Sequence, residues 1–225
     1  MLAALTPTRP GTDGWPTARS TDIEVVAMTE IPPAKQSLAD QVSALRGQGP
    51  AGVDAVRLDR RDGSTRPIPM VPSAAVGFEH GFCSFSHALP DGKALLAAIE
   101  QELWDDLVPP SVDPRQIFED QYLCSGGQLY EVASGRDRLV GDLRPLVADH
   151  LGLAGALVAH PYDVCTALIL RELGGVFEDP WGGAVDVPLD TTSAVSFVAY
   201  ANPSIAAVVR PALARAIESV LGAPG

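Results

Sequence analysis

The spacing of apolar and polar positions changes character along the chain. Residues 1–21 are rich in Pro, Thr, Gly and Arg and show no period, which reads as a flexible leader. Short strand-like runs follow at 23–28, 53–58 and 66–70. They are separated by the turn signals Gly47-Gln48-Gly49-Pro50 and Asp62-Gly63, the second a hairpin signal. From residue 91 the period lengthens to that of helices. Asp91 stands where it can cap a helix that carries Leu95, Ile99, Leu103 and Leu107 on one face. Further helices are expected at 126–133 and 161–173, the latter opened by Pro161 and closed by Gly174-Gly175. Strands at 138–143, from 176 and at 195–200 lie between them. Asn202-Pro203 then supplies an N-cap and a first-turn proline for a last helix to about Leu221. Strands interleaved with helices imply an α/β layer arrangement. Residues 22–225 are therefore expected as a single α/β domain behind the leader.

The segment His160-Pro161-Tyr162-Asp163 opens the expected helix at 161–173 and places Asp163 in its first turn. A carboxylate there is stabilised by the exposed N–H groups of the helix end, which accounts for Asp163 without any chemistry. The same segment resembles the C-terminal signature of the inositol monophosphatase family, Trp-Asp-x-Ala-Ala-Gly-x-x-x-x-x-Glu-Ala-Gly-Gly. Tyr162 stands for the Trp, Asp163 for the Asp, and Glu172-Leu173-Gly174-Gly175 for the close. Upstream, Val132-Ala133-Ser134-Gly135-Arg136 resembles the family's Val-Ala-Ser-Gly-Arg helix end. Downstream, residues 177–189 resemble its turn and Gly-Pro-Leu-Asp stretch. Residues 22–32 and Arg46-Gly47-Gln48-Gly49 resemble its middle strands and Arg-Gly-x-Gly turn. The resemblance spans about residues 22–210 and is strongest over 122–190.

The resemblance implies an α+β sugar-phosphatase-like fold, with helices packed on mixed sheets. It implies magnesium-dependent hydrolysis of an inositol or sugar phosphate, with metal-bound water as the nucleophile. Asp163 would be a metal ligand, and Ser125 and Asp142 would touch the substrate. Counting back from the helix end puts the family's Gly-Ser pair at Leu123-Cys124, with Ser125 adjacent. Ser125-Gly126-Gly127 opens a helix, whose free N–H groups suit an anion, but a plain helix start is the simpler reading. Counting forward from Gly135-Arg136 lands on Asp142, for which a salt bridge with Arg144 or Arg138 is the simpler reading. Residues 145–158 look like an insertion relative to the family.

The chain departs from the family's pattern before residue 22. The family's Glu-Glu pair and Asp-Pro-Ile-Asp-Gly-Thr loop have no counterpart, and Asp13-Gly14 lacks the flanking Asp and Thr. Magnesium prefers near-octahedral oxygen coordination, usually with carboxylates, waters and substrate phosphate together. Asp163 alone does not supply that, and no catalytic residue is assigned. The alternative expectation is an incomplete inositol monophosphatase-like fold acting as a non-catalytic remnant or a partner-binding module. The run 23–28 is apolar on both faces, which suits a covered strand. A homo-oligomer or a complementary N-terminal chain is the expected cover.

Composition narrows the classes further. With 46% hydrophobic and 20% charged residues among 225, the chain is too apolar to be disordered and long enough to bury a substantial core. A net charge of −12 excludes a nucleic-acid-binding surface of the usual basic kind. No apolar run reaches membrane-spanning length, and Met1-Leu2-Ala3-Ala4-Leu5 is too short for a signal peptide. Cys83, Cys124 and Cys165 are odd in number and far apart, which argues against a disulfide framework, so a cytoplasmic setting is the default. His80, Cys83 and His87 bring three zinc-capable side chains close in sequence. They lack the second paired group of a structural zinc site.

Overall fold

A computed structural model of the chain describes residues 1–7, 18–108, 116–120 and 124–223. Among these, the first strands build an antiparallel sheet in simple order: β1 (Leu2–Leu5), β2 (Val25–Thr29), β3 (Leu38–Leu45), β4 (Val53–Asp59) and β5 (Thr65–Pro67). The expected Asp62-Gly63 hairpin joins β4 to β5. Gly63 has φ 74°, and the Asp59 amide donates to the Ser64 carbonyl at 2.8 Å. Only glycine adopts such a positive φ at no steric cost.

The second sheet is mixed, in the order β7 (Ile117–Phe118), β6 (Gly81–Phe85), β8 (Asp137–Asp142), β10 (Phe197–Tyr200), β9 (Val176–Glu178). Strand β6 runs parallel to both β7 and β8, whereas β10 is antiparallel to β8 and β9. Every residue of β10 is buried, because both faces of this sheet are covered. One face meets helices α1 (Lys93–Leu107), α3 (Arg144–His150) and α6 (Pro203–Leu221) around Leu96, Leu103, Leu139, Val198 and Leu213. The other meets α2 (Ser125–Ala133), α4 (Pro161–Val164) and α5 (Ala167–Glu172), whose far sides pack on the first sheet through Val26 and Val42. The layers thus run antiparallel sheet, helices, mixed sheet, helices. The chain is an α/β protein with helices packed on mixed and antiparallel sheets, as the sequence pattern implies.

Several local expectations need correction. Within the expected leader, Leu2–Leu5 is a strand, paired from Leu2 opposite Met28 to Leu5 opposite Val25, and Arg19 bridges to Pro188. Residues 8–17, with Asp13-Gly14, lie outside the described residues, as do residues 121–123 with Leu123. Strand β2 is flanked by β1 and β3 of the same chain, and Ile23 and Val26 are buried. The helix expected at 161–173 is two short helices, α4 and α5, separated at Cys165-Thr166. Asp91 does not cap α1. It lies in a 3-10 turn (Pro90–Gly92), and Gly92 takes the cap position. The α1 core face is Leu96, Ile99, Glu100, Leu103 and Trp104, rotated by one position from the expected stripe at its start and carrying a buried carboxylate. Strand β3 is unforeseen, since Asp40 and Gln41 interrupt its apolar run. The last helix matches expectation. The Asn202 Oδ1 accepts from the Ser204 and Ile205 amides at 2.9 and 3.1 Å.

Candidate functional site

The segments that carry the sequence resemblance meet in space, but through structural bonds. Glu172 at the end of α5 accepts from the Gly47 amide at 2.9 Å and from the Gly49 amide at 2.7 Å. The Arg-Gly-x-Gly turn is therefore tied to the Glu-x-Gly-Gly element by charge-assisted hydrogen bonds.

Asp163, Asp142 and Ser125 fall on adjacent elements, α4, the end of β8 and the start of α2. The helices α2 and α4 pack together, and α2 packs on β8. Each of the three side chains is nonetheless committed or covered. The Asp163 carboxylate turns back on its own helix start, accepting the His160 amide at 2.9 Å, while His160 Nδ1 lies 2.8 Å from the Ser193 carbonyl. Asp142 is fully buried, and both of its oxygens are held by Arg144. The guanidinium Nε is 2.9 Å from Oδ1, Nη2 binds Oδ2, and the Arg144 amide adds a bond at 3.1 Å. That contact raises the Arg144 pKa, with Asp163 contributing more weakly from its position nearby. Ser125 is 7% exposed. The Cys124 Sγ accepts the Gly127 amide at 3.2 Å, and the Leu2 side chain lies so close over Gly126 that a Cβ there would meet it at 2.7 Å.

Asp142 thus makes the salt bridge with Arg144 that is the simpler reading of the sequence. A carboxylate that is fully buried and paired with a guanidinium presents no oxygen to a sugar hydroxyl unless it is uncovered. The same geometry tests magnesium. Asp163 is bonded to its helix cap and Asp142 to Arg144, so this end of the fold does not offer the several free oxygens that magnesium takes. These residues do not fit the ion.

A larger opening lies on the side of α2 that faces the first sheet. Two adjoining cavities, of about 420 and 530 Å³, share Glu30, Gln36, Asp40 and Tyr130 as walls. The first is also lined by Lys35, Arg57 and Arg136, the second by Cys124 and Gly127. Asp40 organises this cleft. Its Oδ1 takes Arg57 Nε at 2.6 Å, its Oδ2 takes Arg57 Nη2 at 2.7 Å, and Tyr130 donates its hydroxyl to the same carboxylate. These contacts, Arg57 foremost, hold the Asp40 carboxyl below its ordinary range. Burial, then Asp40, pushes the Tyr130 phenol up, so it stays a donor. Arg136 binds both Glu131 oxygens, at 2.8 and 2.9 Å, and its guanidinium lies 5.5 Å from the centre of the Tyr130 ring. Three cations and two carboxylates, Glu30 and Asp40, therefore line one cavity in a chain of net charge −12. None of the lining residues is among the expected site residues Ser125, Asp142 and Asp163, although Cys124 and Arg136 lie in motifs that carry the resemblance. Asp40 within an apolar run, and Tyr130 four residues before Ser134, were the available signals.

A second polar cluster lies between β6, α1 and β7. His87 follows β6, Glu100 sits in the middle of α1, and Glu119 follows β7. Among the described residues this is the only group of three metal-capable side chains found, and it takes His87 without His80 or Cys83. Cys83 is fully buried in β6, and burial pushes its thiol up to about 12, far from the thiolate that binds metals. His80, Cys83 and His87, close in sequence, therefore do not form a metal-capable group among the described residues.

No family model matches the chain, and no curated protein does. Solved structures of similar course exist. One is the extragenic suppressor protein suhB from Bartonella henselae, with TM-score 0.47, 14% identity, and coverage of 78% of this chain and 61% of that one. Another is Mycobacterium tuberculosis SuhB, with TM-score 0.49, 15% identity, and coverage of 85% and 64%. A third is an inositol monophosphatase from Anabaena (Nostoc), with TM-score 0.45, 14% identity, and coverage of 80% and 60%. The chain spans about three fifths of the length of each. Among the described residues no helix is long and apolar enough to cross a membrane.

Proposed function

We propose that these 225 residues bind a small phosphorylated polyol, of the inositol or sugar phosphate class, and do not hydrolyse it by themselves. The observation that supports binding is the cleft in which Lys35, Arg57 and Arg136 surround the Asp40–Tyr130 pair. A phosphomonoester matches the cations, and an adjacent hydroxyl matches the acceptor Glu30. The guanidinium of Arg57 is already fixed by Asp40, so little side-chain freedom is lost on binding. The motif resemblance points to the same ligand class, while the engaged Asp142 and Asp163 speak against hydrolysis. The test is calorimetric titration with inositol monophosphate and hexose phosphates. Lys35→Ala, at an exposed position, and Arg136→Gln are each expected to weaken binding about tenfold, the effect of one lost charge-assisted bond. Unchanged affinity in both variants would place the ligand elsewhere.

A further inference from the structure

We propose that His87, Glu100 and Glu119 form a binding site for one zinc-type divalent transition-metal ion, separate from the cleft. His87 Nε2 and a Glu100 oxygen are 2.8 Å apart, and the donor atoms of all three residues lie within 4.8 Å of one another. Zinc bonds to imidazole nitrogen and carboxylate oxygen are about 2.0–2.2 Å long, so two donors on one ion sit roughly 3–3.5 Å apart. The His87–Glu100 separation is close to that value. Glu119 is exposed just after its strand, so a change of rotamer would be enough to close the remaining gap.

The orientation of His87 is the second observation. Its Nε2 is buried and has no aligned hydrogen-bond partner, although the Glu100 carboxylate is in reach. A ring nitrogen 2.8 Å from a carboxylate oxygen, without an aligned N–H between them, matches the placing of two ligands of a single ion. Glu100 is itself more than nine-tenths buried, on a helix face otherwise made of Leu96, Ile99, Leu103 and Trp104. Its other oxygen receives the Trp104 indole N–H at 3.3 Å, an outer hydrogen bond of the sort that orients a ligating carboxylate. One imidazole with two carboxylates suits zinc, cobalt or nickel, whereas magnesium favours oxygen donors and waters. Three protein ligands leave a coordination position for water. The bound ion would pin the ends of β6 and β7 to α1.

The experiment uses the full chain after exhaustive chelator dialysis, titrated with zinc alone and with magnesium alone. Cys124, the exposed thiol, is replaced by Ser throughout to remove thiolate binding. One equivalent of zinc is expected to bind at micromolar or tighter dissociation constant, with magnesium at least a hundredfold weaker. The unfolding midpoint is expected to rise with zinc concentration. Glu119→Gln, at an exposed position, is expected to weaken zinc at least tenfold, and His87→Gln more. Less than half an equivalent of zinc, or equal affinity in parent and Glu119→Gln, overturns the proposal. Glu119→Gln decides the matter even if His87→Gln fails to fold.

Discussion

Replacing Asp142 separates a structural carboxylate from a substrate-binding one. In Asp142→Asn the volume is kept, but the Arg144 guanidinium loses its counter-charge while its side chain stays 13% exposed. Arg144 then retains the Leu157 carbonyl at 3.2 Å as a neutral acceptor. Removing one partner of a buried ion pair costs about 3–5 kcal/mol, and the neutral amide keeps part of the hydrogen bonding, so about 3 kcal/mol is expected. For a chain of this size that is a fall in unfolding midpoint of roughly 6–12 °C. Urea unfolding at neutral pH measures it, as a lower midpoint at constant slope. Adding Arg144→Met to Asp142→Leu is expected to restore much of the loss, because the pair is then removed as a unit. Affinity for inositol monophosphate is expected to stay within twofold in Asp142→Asn. A loss below about 1 kcal/mol together with a tenfold loss of affinity would refute the reasoning and return Asp142 to a substrate-facing role.

Asp137, buried in β8 and close to Glu131 and Asp120, has its carboxyl raised from 3.8 to about 6, by burial first and then by those charges. The folded state therefore holds a proton that the unfolded state releases, and stability falls as pH rises from about 4 through about 6. Asp137→Asn is expected to stabilise the chain by up to roughly 3 kcal/mol at pH 7.5 and hardly at all at pH 4, read by urea unfolding. An equal gain at both pH values would contradict this. Cys83 and Cys165, whose thiols burial pushes up to about 12 and about 11, are expected to resist alkylation in the native state, leaving Cys124 as the labelled thiol. Mass spectrometry reporting a second modified cysteine without unfolding would count against the burial.

Much of the α/β pattern is legible because it rests on local chemistry. The Asn202-Pro203 cap, the Asp62-Gly63 turn and the helix at 126–133 depend on neighbours a few residues away, and the structure keeps them. The register of α1 is less legible. Glu100 is polar in the sequence yet faces the core, where the Trp104 indole N–H bonds it and His87 lies beside it. Strand β1 is hidden for a different reason: its partner Val25–Met28 lies across a stretch without period. The candidate site is the least legible part. Motif counting finds Asp163 and Asp142, but it cannot show that a cap and a guanidinium already hold them. Asp40, Arg57, Tyr130 and Arg136 belong to β3, β4, α2 and the turn after it, so only the packing of α2 against the first sheet joins them.

The central claim is binding without hydrolysis, and phosphorus NMR of one sample tests both halves. Inositol monophosphate is mixed with the chain in magnesium-containing buffer and followed for hours. The phosphomonoester signal is expected to shift or broaden with added protein, less so with Lys35→Ala, while no inorganic phosphate appears. An unperturbed ester signal would contradict the binding claim. Growth of an inorganic phosphate signal that is abolished in Asp163→Asn would show that the carboxylate now read as a helix cap holds a catalytic ion instead.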